Sequence, residues 1–189
     1  MTKTTPRQIA FNQYSMWTKK KNESDWYEWC VFVDEDAQTL KTISGVQYFL
    51  HPSFPDPERV KKNGLDRFAL YSAGWGNFSI QIHIMLVGGS TIKTNYQLRL
   101  QNDNWPKKSP PDTFNDTNLK SVYEALSQGQ FRWRKFETIV SRTPLSKDKV
   151  SLALNELAKD NLVRKAYFRS VDNQELWGAT EIVGIAPRI

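Results

Sequence analysis

At 189 residues, with 39% hydrophobic and 13% aromatic residues and seven tryptophans, the chain has a folded rather than a disordered composition. Its lone cysteine, Cys30, excludes an intramolecular disulfide framework, and two histidines beside one cysteine make no zinc set, so no metal and no cofactor are expected. No apolar run is long enough to span a bilayer, and the opening "MTKTTPRQIAF" lacks the apolar core of a signal peptide; a cytoplasmic protein without a membrane partner is expected.

From Arg7 to about Leu100 the pattern is that of strands. "QIAFNQYSMW", "WCVFV", "LKTISGVQYFL", "FALYSA", "FSIQIHIMLV" and "YQLRL" are rich in β-branched and aromatic residues. In the fifth of these, Phe78, Ile80, Ile82 and Ile84 point one way and Ser79, Gln81 and His83 the other. Gly88-Gly89 is a hairpin turn. Strands in this number, separated by turns, predict an all-β immunoglobulin-like sandwich of about 100 residues. "DNWPKKSPPDTFND", with three prolines among Asp and Asn residues, reads as a linker.

Beyond it the period changes from two to 3.6. Leu119, Val122, Tyr123 and Leu126 form one helical stripe, and Trp133, Phe136, Ile139 and Val140 a second. Ser146 caps a third helix whose stripe is Val150, Ala153, Leu154 and Leu157. "LVRKAYF" and "ELWGAT" then form two strands around the turn "RSVDNQ". Three helices and a hairpin make a smaller α/β winged-helix domain. The expected boundaries are 1–103 for the sandwich, 104–116 for the linker and 117–189 for the winged helix.

Two loops of the β half carry a specific pattern. "ISGVQYFLHPSFPDPERV" runs a strand into Leu-His-x-Ser-Phe followed by Pro and Arg, and "AGWGNF" later opens another strand. The pair, in this order and spacing, together with the upstream "WYEWCVFV", resembles the YEATS domain, in a form more like prokaryotic chains than eukaryotic chromatin proteins. The resemblance covers about half the chain, Arg7 to Leu100, and implies an aromatic slot for acylated lysine. By position Phe54 and Trp75 are then the walls and Phe78 the floor. Ser53 bonds the side-chain amide, His51 orients Ser53, and the backbone N–H groups around Trp75 and Gly76 meet the acyl carbonyl. Gly74 and Gly76 let a ligand approach the main chain. The chemistry is consistent in its own right, because acylation replaces a charged ammonium with a flat amide that stacks between rings. Asn77 departs from family members with an acidic residue there. The same loops also admit a purely structural reading, a turn pair with Trp75 capping the sandwich, or a protein–protein contact.

Before Thr117 there are 14 basic and 12 acidic residues, net +2; from there on 12 and 8, net +4, which permits a nucleic-acid partner. The candidate DNA contacts are Arg132, Arg134, Lys135, Asn155, Lys165 and Arg169. The outward face of the third helix, however, carries Asp148, Glu156 and an exposed Leu152, which suits docking or self-association better. DNA binding would make the protein nucleoid-associated. A Cys/His pair exists on paper, but nothing flanks either residue as an activating motif, and no phosphate loop is present, so catalysis is not expected. The reading is thus a non-enzymatic reader of acylated lysine (acetyl- or crotonyl-like) coupled to a docking or DNA-binding module. The alternative is a DNA-binding regulator or assembly module whose sandwich binds no acyl-lysine.

Overall fold

The computed structural model describes residues 8–100 and 103–188; Arg7, where the strand pattern begins, lies outside them. The chain divides into two compact units, residues 1–104 with 187–189, and residues 105–186.

The first unit is a β-sandwich. One sheet has the order β1-β2-β5, formed by Phe11–Lys21, Ser24–Val33 and Leu70–Gly74. The other has the order β4-β3-β6-β7, formed by Glu58–Lys61, Ile43–Phe49, Phe78–Leu86 and Thr91–Leu98. All pairings are antiparallel. The period-two pattern decides what is inside: Ile80, Ile82 and Ile84 meet Trp29, Val31, Val33, Tyr48 and Leu70 in one core. Tyr48 keeps its hydroxyl there by donating to the Phe68 carbonyl at 2.9 Å. On β2 the residues from Trp29 to Val33 are all buried, so Cys30 is a buried thiol outside any disulfide. Two residues on, the Phe32 ring meets that of Tyr14 at a tilt of 51°, with ring centres 4.8 Å apart. At Gly88-Gly89 the chain turns as expected, Gly89 adopting φ +84° and Leu86 N–H bonding Ser90 O at 2.9 Å.

Other parts of this unit depart from the strand pattern of the sequence. Helix α1, Ala37–Leu40, is capped by Asp36. The edge strand β4 carries three charges in four residues. β7 begins five residues before Tyr96 because Lys93 and Asn95 alternate with Ile92 and Tyr96, diluting the apolar signal.

In the second unit, helices α2 (Thr117–Ser127), α3 (Phe136–Ser141) and α4 (Lys147–Lys159) bury Val122, Leu126, Ile139, Val150, Leu154 and Leu157. Ser146 is the α4 N-cap. A three-stranded sheet of order β8-β10-β9 follows from Arg134–Lys135, Leu176–Ala179 and Val163–Lys165; a short helix α5, Thr180–Val183, comes after β10.

The stretch read as a linker has its own partners within this unit. Trp105 is only 3% exposed and donates from Nε1 to Ile185 O at 2.8 Å, while Ile185 N–H bonds Pro106 O at 2.8 Å. Thr180 Oγ1 donates to Lys108 O at 3.2 Å. The Trp105 indole lies against Gly184, which has φ +73° and whose missing Cβ would fall 2.1 Å from the ring. The start of the stretch, from Trp105 to Lys108, is thus held against this unit rather than free.

Candidate functional site

The bend after β3 is tied down from both ends. Leu50 N–H bonds Pro57 O at 2.8 Å, closing its base. Arg59, on β4, reaches back with Nε to Asp56 O (3.0 Å) and Nη2 to Pro55 O (2.9 Å), and across with Nη1 to Tyr71 O (3.3 Å). One guanidinium therefore fixes the bend and anchors it to β5, a role its sequence position alone did not reveal.

Inside the bend, Phe54 N–H bonds His51 O at 3.0 Å. Ser53 N–H donates to His51 Nδ1 at 3.2 Å, which makes that nitrogen the acceptor of the ring. Ser53 Oγ lies 2.8 Å from the same nitrogen and therefore donates its proton to it. The Oγ lone pairs are left to accept from outside.

The second loop follows β5. Trp75 is 62% exposed, Gly74 is buried and Gly76 has φ +79° with no atom near its Cβ position. A Cβ on Gly74 would sit 3.4 Å from Phe54 Cζ, so this glycine is where the two loops touch. Phe54 packs on Phe78 at 5.4 Å and edge-on against Trp29 at 6.2 Å; Trp29 and Phe78 are 5.9 Å apart. Phe54 is thus a half-buried member of an aromatic cluster, not a free-standing wall. Asn77 accepts the Leu100 N–H at 2.8 Å, which gives an amide at that position a structural task. The second histidine, His83, sits edge-on to Phe49 at 4.6 Å on the outer face of its sheet.

The candidate nucleic-acid residues fare differently. Arg134 is 4% exposed; its Nη2 donates to Gln128 O, and desolvation lowers its pKa. A guanidinium turned inward does not meet phosphate, so Arg134 leaves the set of DNA contacts. Lys135 pairs with Asp172 at 2.8 Å and Lys165 with Glu175 at 2.8 Å. Arg169 bonds Asn173 O at 2.9 Å and lies 4.0 Å from Glu175. Arg132 is half-buried, and Asn155 is exposed on α4 beside Leu152, which is 69% exposed. Arg164, also basic in the sequence, is buried between the Trp105 and Trp133 rings, 5.0 and 4.9 Å from their centres. Among the described residues no group of three or more His, Cys, Asp or Glu is arranged to hold a metal ion, and no helix is long and apolar enough to cross a membrane.

Residues 27–99 match the family model of the prokaryotic YEATS domain. The match runs from Tyr27 on β2 to Arg99 just past β7 and includes both loops. Among solved structures, the Yaf9 YEATS domain recognizing an H3K122suc peptide is 21% identical, over 52% of this chain and 81% of its own, with a TM-score of 0.40. The yeast AF-9 homolog protein Yaf9 is 26% identical, over 48% of this chain and 69% of its own, with a TM-score of 0.40. The Yaf9 YEATS domain bound to H3K27ac is 21% identical, over 52% and 79%, with a TM-score of 0.39. No curated protein matches the chain.

Proposed function

We propose that the β unit is a non-enzymatic reader of acylated lysine and that the second unit is a winged helix used for docking. The observation that carries the first part is the meeting of the two loops at Gly74. The two loops touch there through Phe54 and Gly74; Ser53, whose Oγ donates to His51, precedes the first, and the exposed Trp75 follows the second. Phe54 and Trp75 flank the side chain, Ser53 Oγ accepts the amide N–H, and the N–H groups around Trp75 and Gly76 meet the acyl carbonyl. His51 positions Ser53, and Phe78 supports Phe54 from below. An unmodified ammonium would shed water without equivalent partners, and a cation–π contact offsets only part of that cost.

The test is calorimetric titration of the full chain with acylated and unmodified copies of one lysine peptide. Acylated peptide binds and unmodified peptide binds far more weakly. Trp75→Ala costs about 1–3 kcal/mol of binding, at least several-fold, without unfolding the chain. Equal affinity for both peptides, or affinity unchanged in Trp75→Ala, refutes the slot.

Docking is favoured for the second unit because Lys135, Lys165 and Arg169 are engaged by Asp172 and Glu175, while Leu152 stands exposed. A DNA-binding unit would show duplex affinity falling with salt at about −0.9 per phosphate on a log–log plot. The docking reading expects no such binding near physiological salt.

A further inference from the structure

Resting on the reader function, we infer that the slot ends on a hydrogen-bond donor, the Trp29 indole N–H, and favours an acyl tail carrying an acceptor oxygen over a hydrocarbon tail of equal length.

Trp29 is fully buried, at 0% exposure, and its Nε1 has no hydrogen-bond partner. That nitrogen lies 3.9 Å from the Cβ position that Gly74 leaves vacant, the same point that is 3.4 Å from Phe54 Cζ. The β2–β5 register puts Tyr27 opposite Gly74 and Trp29 opposite Ser72. Trp29 and the vacant Cβ position thus share the inner face, directly beneath the place where the two loops meet. Trp29 is a ring of the aromatic cluster and, unlike Phe54 and Phe78, it also has a polar atom to offer.

A desolvated donor without a partner is costly, and nearly all buried N–H groups in proteins find one. The neighbouring phenyl ring offers only a weak π acceptor. A hydrocarbon tail entering over Gly74 would leave the N–H unpaired, whereas a hydroxyl or carbonyl oxygen at that depth would satisfy it. Sites with a buried hydrogen-bonding group discriminate in this way against ligands that lack its complement. Phe54 Cζ lies 3.4 Å from the same vacant position, so the tail must turn that ring aside. Phe54 is half-buried on a loop, and side-chain rotation of this kind is common on binding.

The probes are two copies of one peptide, its lysine butyrylated or 3-hydroxybutyrylated, which differ by one hydroxyl. Titrated into the full chain, the hydroxyacyl peptide binds about three- to tenfold tighter, the worth of one hydrogen bond. It also shifts the Trp29 indole N–H proton downfield in the NMR spectrum, which butyryl does not. Trp29→Phe, which keeps a ring and deletes the donor, brings the two peptides to equal affinity, whatever that affinity is. If that variant fails to fold, a benzothiophene in place of the indole at position 29 puts sulfur where the N–H was. Equal or weaker binding of the hydroxyacyl peptide to the unaltered protein overturns the inference, as does a preference that survives loss of the N–H. Failure of every acylated peptide to bind would sink the reader function and this inference together. Butyryl binding without a preference would sink this inference alone.

Discussion

Gly74→Ala separates a folding role from a binding role at the point where the two loops meet. The added methyl would lie 3.4 and 3.6 Å from two Phe54 ring carbons and 3.9 Å from Trp29 Nε1, all ordinary contact distances. Gly74 ends strand β5, and glycine in a strand costs roughly 0.5–1 kcal/mol relative to alanine. Folding stability should therefore stay level or rise by up to about 1 kcal/mol in urea titration. Binding should move the other way. The methyl fills the space over the backbone that an acyl tail would use, and a tenfold weakening, about 1.4 kcal/mol, is the least expected by calorimetry. Unchanged affinity would mean the tail does not pass over Gly74. A loss of stability beyond about 2 kcal/mol would instead refute the claim that the two loops tolerate a methyl there.

Arg59→Ala removes three bonds to carbonyls from a half-buried side chain. It should cost about 1–2 kcal/mol of stability and speed amide hydrogen exchange in the bend 50–57, with weaker acyl-peptide binding; unaltered exchange would count against the clamp. Asp172 is held down to about 2, first by its hydrogen bond from Lys135 and then by that from Ser170. A carboxyl lowered on folding stabilises above its unfolded pKa and loses that contribution as pH falls through the folded one. The stability gap between the unaltered protein and Asp172→Asn should therefore be full above about pH 4 and close towards pH 2. A gap independent of pH in that range would show that the carboxylate charge is not what matters.

What the sequence made legible was whatever depends on periodicity. The isoleucines of β6, the stripe of α4 and its serine cap are local patterns, and each has the partner that its period calls for. The loop motifs were equally visible as residue types, but their arrangement depended on long-range contacts. Nothing near Phe54 in the chain says that its ring rests on Trp29 and Phe78. Arg134 looked like surface charge because neighbours in sequence do not reveal which face of a two-residue strand is covered. Trp105 was hidden by the prolines and Asp residues around it. Such composition marks a bend, and only the distant Gly184 and Ile185 show that its first residues are held.

The tryptophans also make the protein its own optical probe. Trp29, Trp105 and Trp177 are buried, Trp26 and Trp133 are half-buried, and only Trp17 and Trp75 are strongly exposed. A dissolved quencher such as acrylamide meets mainly those last two, and Trp17 is marked by its hydrogen bond to Asp25 at 2.9 Å. With Trp17 changed to phenylalanine, the quenchable part of the emission would come almost entirely from the proposed wall of the slot. Shielding of that light by a peptide would then report occupancy directly, without any label.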